Sequence, residues 1–355
     1  MPSYSGVWTL SQQLQAVSAN NWPGALQFVA VAHATTPFIT AYPWSGSGFG
    51  TKFANPATLP PNDGQGVAFS PSGDAIAVVH TGTPFITAYP WSVSGFGTKF
   101  ANPATLPTGT ATADVAFSPT GNAIAVSFNS SPFASAYPWS GSGFGTKFAD
   151  PATLPTGTGN GVAFSPSGNA IAVAHNTTPF VTAYPWSGSG FGTKFANPAT
   201  LPTGTGLSVA FSPAGNAIAV GHQTSPFVSA YPWSGSGFGT KFANPATLPS
   251  VNSFGVAFSP ADNAIAVVNA NTPYITAYPW SGSGFGTKFA DPATLPPVQC
   301  NGVAFNPTGN AVAVAVNNSP FVIAYPWSDS GFGTKFADPA TLPTGAGRNV
   351  AFTQL

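Results

Sequence analysis

A period of 47 residues governs this sequence. The segment AYPWSGSGFGTKFANPATLP, Ala41 to Pro60, returns in near-copies six more times. Its tryptophans are Trp44, Trp91, Trp139, Trp186, Trp233, Trp280 and Trp327, spaced 47 apart except for one interval of 48. A second marker, V-A-F, begins at Val67, Val115, Val162, Val209, Val256, Val303 and Val350. The two markers are staggered, so the chain opens partway through a unit and finishes on the piece that the first unit lacks. Self-similarity at this length means that each unit is a supersecondary element that completes its core only against its neighbours.

One unit shows the local logic. Val162-Ala163-Phe164-Ser165 alternates large and small, and Pro166-Ser167-Gly168-Asn169 supplies turn chemistry. Ala170 to His175 alternates again, with Ile171 and Val173 on one face and alanines on the other. Phe180 to Tyr184, rich in β-branched and aromatic residues, reads as a third strand. SGSGFG reads as a glycine-rich reversal, and Thr193-Lys194-Phe195-Ala196 as a short fourth strand ended by Asn197-Pro198.

Four short strands per 40–50 residues predict a blade of a β-propeller. A solenoid is the structural rival, but no unit contains a helix and the chain ends complement each other. Gln27 to Ala32, Phe38 to Tyr42 and Thr51 to Ala54 supply strands two to four of an incomplete blade. Its inner strand is then Asn349 to Thr353, and ring closure by the C-terminus leaves no orphan sheet edge. The fold expected is all-β: a seven-bladed propeller over residues 25–355, preceded by an extension at residues 1–24 with a short helix from Ser11 to about Ser18.

Over about residues 26–355 the chain resembles the WD40-like propellers, through V-A-F-S-P-x-G-N, the small-residue second strand and the Trp after the third strand. Here Trp is followed by Ser rather than Asp, and no Gly-His follows the fourth strand. The resemblance therefore implies the architecture but not that family's buried Asp–His–Ser–Trp set.

Chemistry is sparse. Only 5% of residues are charged, there is no Glu, and the formal charge is zero. This argues against nucleic acid as a partner, because phosphate contacts need clustered Lys and Arg. No apolar run is long enough for a membrane helix, and no signal peptide is read at the N-terminus. Cys300 is alone, so no intrachain disulfide forms. No G-x-S-x-G elbow, phosphate loop or zinc spacing occurs, so no catalytic residue, metal or cofactor is expected. Seven of eight basic residues share one repeat position, from Lys52 to Lys335, and are expected to guard an outer edge strand. The repeated Trp is expected to be a packing wedge.

Differences between units carry the information about binding. Two sets of loops vary and share one face of the disc in an up-and-down blade. The loops between strands two and three begin with His33, His80, Phe128, His175, His222, Asn269 and Val316. Those histidines fan out around the axis and are not expected to converge on a metal. The loops that follow each ATLP contain Asn62, Asp63, Asp114, Asn160, Asn252, Phe254, Gln299 and Arg348. Together these residues are the candidate binding face, because variable loops on a rigid frame are where such folds make contacts.

Residues Gly6-Val7-Trp8-Thr9-Leu10, with Gln12-Gln13 and Asn21-Trp22-Pro23, resemble a short motif at the ends of tailed-bacteriophage virion proteins. The AYPW unit is similar to repeats in phage-associated WD40-like proteins. The resemblance implies a non-enzymatic virion component, made in the host cytoplasm and located in the particle. Its expected partners are other virion proteins or a host-surface protein or glycan, met by a monomeric propeller docked in the particle. A glycan-binding propeller with sites between blades, and an engineered near-symmetric propeller, are the alternatives.

Overall fold

Each repeat unit becomes one antiparallel sheet in the computed structural model, which describes residues 25–109 and 112–355. The described residues form 28 strands, β1–β28 in chain order, grouped into seven sheets of four. A representative blade contains β12 (Gly159–Phe164), β13 (Ala170–His175), β14 (Val181–Ser187) and β15 (Gly190–Phe191). The alternation read from sequence sets the register: Val162 lies opposite Val173, and Ile171 opposite Tyr184. The turn between the first two strands is cross-tied by Ser165. Its hydroxyl accepts the Ala170 amide at 3.0 Å and donates to Asn169 Oδ1 at 3.0 Å. The N-terminal extension and its expected helix lie outside the described residues.

Six more inner strands join β12 around the axis: β4 (Gly64–Phe69), β8 (Thr112–Phe117), β16 (Gly206–Phe211), β20 (Ser253–Phe258), β24 (Cys300–Phe305) and β28 (Gly347–Gln354). Their circular order is β28, β4, β8, β12, β16, β20, β24, and β24 neighbours β28 again. The ring closes as the staggered markers predict. Strand β28 pairs with β1 (Gln27–His33), placing Val31 opposite Val350 and Val29 opposite Phe352. The seam has its own side-chain contacts. Asn306, where five other units carry Ser and one carries Thr, donates to Gln27 Oε1 at 2.8 Å, and Gln27 Nε2 donates to Thr308 Oγ1 at 3.2 Å.

Blades pack large against small. Ile171, Val173, Tyr184 and Trp186 meet Ala123, Ala125, Ala134 and Ala136 of the preceding blade, which lets two sheets approach closely over a dry core. Trp186 sits edge-on to three phenylalanines at centroid distances of 5.1–5.2 Å: Phe164 and Phe191 of its own blade and Phe148 of the preceding one. Each repeat Trp is only 4–7% exposed, so it is a packing wedge. That burial removes the aromatic platforms on which the alternative of inter-blade glycan sites relied. Tyr184 reaches the same neighbour by donating to the Thr153 carbonyl at 2.7 Å, and every blade repeats this bond.

The fourth strand differs from the expectation. It lies inside SGSGFG, where Trp186 pairs with Phe191 and Ser187 with Gly190 across a two-residue turn. Gly190 has φ +99°, and a Cβ there would meet Phe148 Cβ at 3.1 Å, so this position needs glycine twice over. Thr193–Ala196 forms no strand; Phe195 returns only one backbone bond, to the Ala183 carbonyl at 2.9 Å. The lysines therefore do not guard an edge strand. Each ammonium is held by the Asn or Asp three residues on, as in Lys52–Asn55 and Lys288–Asp291, both at 2.5 Å. Cys300 is fully buried in β24, and burial pushes its thiol pKa upward, away from the reactive thiolate.

Candidate functional site

The inner strands crowd the axis because several lack a side chain just before V-A-F. A Cβ on Gly66 would lie 3.0 Å from Asp114 Cα, and one on Gly302 would lie 2.8 Å from Asn349 Cα. Around this level lies a central cavity of about 470 Å³, walled by all seven blades. The position two before each V-A-F supplies Gln65, Ala113, Asn160, Leu207, Phe254, Asn301 and Arg348. In a chain of near-copies, this ring has only one residue type in common between any two blades, Asn at 160 and 301.

Asp114 is the acid of the cavity wall. Its Oδ1 accepts the Val115 amide at 2.9 Å and Asn349 Nδ2 at 3.4 Å, while Oδ2 accepts the Val162 amide at 3.2 Å. Asn349 belongs to β28, two blades away around the ring, and reaches Asp114 past Gly66, which leaves the space open. Enclosure by these strands pushes the carboxyl up to about pKa 7, against the opposing pull of the two backbone amides. The group can therefore exchange a proton near neutral pH.

Elsewhere on the cavity lining, Arg348 Nη2 lies 3.2 Å from Asp63 Oδ2. The two Asn amides of the ring are fixed as well. Asn160 Nδ2 donates to the Gly206 carbonyl at 2.8 Å, and Asn301 Nδ2 donates to the Gly347 carbonyl at 2.7 Å. Gln299 Nε2 in turn donates to Asn301 Oδ1 at 2.8 Å. Backbone-anchored amides present a set pattern of donors and acceptors rather than a mobile fringe.

The structure sorts the sequence candidates into two groups. Asp114, Asn160, Phe254, Gln299 and Arg348 come together at the cavity, with Asp63 behind Arg348. Asn62 is exposed outside it, and Asn252 is half-buried and does not line it. The other group points inward. His33, His80, Phe128, His175, His222, Asn269 and Val316 are all fully buried at the ends of second strands, not in loops. The four histidines find hydroxyl partners on the third strand, as in His175 Nε2 to Thr182 Oγ1 at 2.9 Å and His222 Nε2 to Ser229 Oγ at 3.0 Å. Burial lowers the pKa of all four histidines to about 4, so they are neutral packing residues at pH 7. Among the described residues no cluster of three or more His, Cys or acidic side chains could hold a metal. No helix among them is long and apolar enough to cross a membrane.

Gln65, Leu207, Ser208, Asn301 and Asn349 also line the cavity and were missed in the sequence. The signal that could have found them was positional: counting back from V-A-F aligns the ring, whereas comparing whole loops does not.

No family model matches this sequence, and no curated protein matches it. Solved structures do share its fold. A Bacteroides uniformis protein, provisionally assigned as a 6-phosphogluconolactonase, is 14% identical, with a TM-score of 0.73 over 93% of this chain and 100% of that one. A Bacteroides fragilis protein with the same provisional assignment is 12% identical, with a TM-score of 0.74 over 94% and 99% of the two chains. The periplasmic gluconolactonase of Pseudomonas aeruginosa is 16% identical, with a TM-score of 0.70 over 92% and 99%. At this identity the likeness shows the seven-bladed propeller fold. It also corrects the expectation of a non-enzymatic bacteriophage component, because the activities named for these propellers are those of lactone hydrolases and none carries a phage link.

Proposed function

We propose that this propeller hydrolyses lactones in its central cavity, with Asp114 as general base. The observation that carries the reading is a carboxyl held at the cavity wall, enclosed so that it titrates at about 7. A general base works best when its pKa lies near the working pH. In its ionised form Asp114 takes a proton from a water molecule as that water adds to the lactone carbonyl. The ring C–O bond then breaks, and Asp114 returns the proton to the departing ring oxygen, giving a hydroxy acid. Anchored amides and Arg348 supply donors around the carbonyl oxygen, where negative charge develops. The lactonase names of the propellers that share this fold support the same reading.

The test is turnover of a panel of δ-lactones by the wild type and by Asp114→Asn. The substitution keeps the shape of the side chain but cannot accept the proton. We expect kcat/KM to fall by roughly 10²–10⁴-fold. Wild-type kcat/KM should rise with pH through about 7, as the base ionises, and the variant should lose that limb. Equal activity of the variant, or no turnover of any lactone by the wild type, overturns the proposal.

A further inference from the structure

The cavity is short of positive charge, and part of its wall is apolar. Of the eight basic residues, seven are the repeated lysines, whose ammonium groups are each held by the Asn or Asp three residues on, away from the cavity lining. Among the described residues Arg348 is the one cation at the cavity, and Asp63 already pairs with it. Asp114 adds a second acid. The ionisable groups at the site therefore sum to zero or to a negative charge. Burying a phosphate or carboxylate without an unpaired cation is strongly unfavourable.

The ring two residues before V-A-F is also lopsided. Leu207 and Phe254, on adjacent strands β16 and β20, are half-buried and line the cavity, whereas the polar members of the ring run from Asn301 through Arg348 and Gln65 to Asn160, interrupted only by Ala113. In the circular order, β20 lies three blades from β8 in one direction and four in the other, so Phe254 is across the ring from Asp114. A cavity of about 470 Å³ is of the size that small-molecule sites occupy.

We infer that the substrate is an uncharged lactone bearing an apolar substituent, with its carbonyl toward Asp114 and its apolar part against Phe254 and Leu207. This rests on the lactonase reading above and goes beyond it, since it excludes phosphorylated and carboxylated lactones.

The test compares δ-decalactone with 6-phosphogluconolactone on the full chain. We expect kcat/KM at least about 10-fold higher for the alkyl lactone. Phe254→Asn and Leu207→Asn copy the residue that two other blades carry at this position, and they should each raise KM for δ-decalactone several-fold with little change in kcat. Thermal unfolding of both variants checks that the fold persists. A second measurement is independent of turnover: calorimetric binding of δ-decalactone to Asp114→Asn, which Phe254→Asn should weaken several-fold. Turnover of 6-phosphogluconolactone equal to or better than that of δ-decalactone, or indifference to both apolar substitutions, overturns the inference and leaves the lactonase reading standing. Binding that depends on Phe254, without hydrolysis of any lactone by the wild type, overturns the lactonase reading and leaves only the apolar wall as a binding surface.

Discussion

Deletion of residues 347–355 should open the ring and remove most of the stability of the chain. Strand β28 is the inner strand of the closing blade. It pairs with β1 along its length and packs between β24 and β4, so its loss strips three interfaces at once. Val350, only 3% exposed, and Phe352, 5.1 Å from Trp44, leave with it. The uncovered strand β1 is buried throughout except at Gln27, and its unpaired backbone groups would face water. Folded domains are stable by only about 5–15 kcal/mol, and losses on this scale consume that margin. We expect the truncated chain to unfold far below the intact one, or to form dimers in which the open edges meet. Thermal unfolding and solution mass measure both. An unchanged midpoint with a monomeric mass would refute closure by strand exchange.

Acid should destabilise the intact protein steeply as pH falls from 6.5 toward 4, because four histidines are buried in their neutral form. His33, His80, His175 and His222 are fully buried, each sharing a hydrogen bond with a Thr or Ser hydroxyl of the third strand. Desolvation holds their pKa near 4 rather than 6.5, and the nearest charge acting on each is a lysine, which adds repulsion. A histidine depressed in the folded state binds its proton more readily once unfolded. Its stability contribution is therefore complete above pH 6.5 and is lost as pH falls toward 4. A depression of this size is worth roughly 3 kcal/mol per residue, so four together rival the stability of a typical domain. Asp114 works in the opposite direction. Its raised pKa means that ionisation lowers stability as pH rises from about 4 to about 7, so the comparison is best made in an Asp114→Asn background. Denaturant titrations at pH 8, 6, 5 and 4 should show a steep loss that a fourfold His→Asn variant largely lacks. Asn269 already fills the equivalent place in another blade, bonded to Ser250 Oγ at 2.8 Å. Identical pH slopes for the two proteins would refute this account.

The frame was largely legible in the sequence because its rules are local and repeated seven times. Alternating Ile, Val and Ala set the strands, Ser-Pro-x-Gly-Asn set the turn, and the staggered markers gave away the closing strand. The fourth strand was misplaced because Gly and Ser in SGSGFG look like loop, while Thr-Lys-Phe-Ala alternates. Only the tertiary contact explains the exchange: Phe195 is spent on Trp233 of the next blade, 5.3 Å away, not on a strand of its own. The cavity was half legible. Variation pointed to Asp114, Asn160, Phe254, Gln299 and Arg348, yet it pointed equally to the histidines. Variation does not distinguish a side chain at the cavity from one in the core. Burial decides that, and burial depends on where a strand ends.

Near-identity between blades raises a problem of addressing. To β28, the second strand of any blade offers much the same face, so main-chain pairing alone gives the C-terminus little reason to prefer β1. Closing one blade early, or on a second molecule, would satisfy the same backbone bonds. The Gln27–Asn306–Thr308 contacts are different, because Asn306 occurs in only one blade and Gln27 opens only one second strand. They label the two ends that belong together. The number of blades in this ring is thus written less in the repeat than in the few residues that break it.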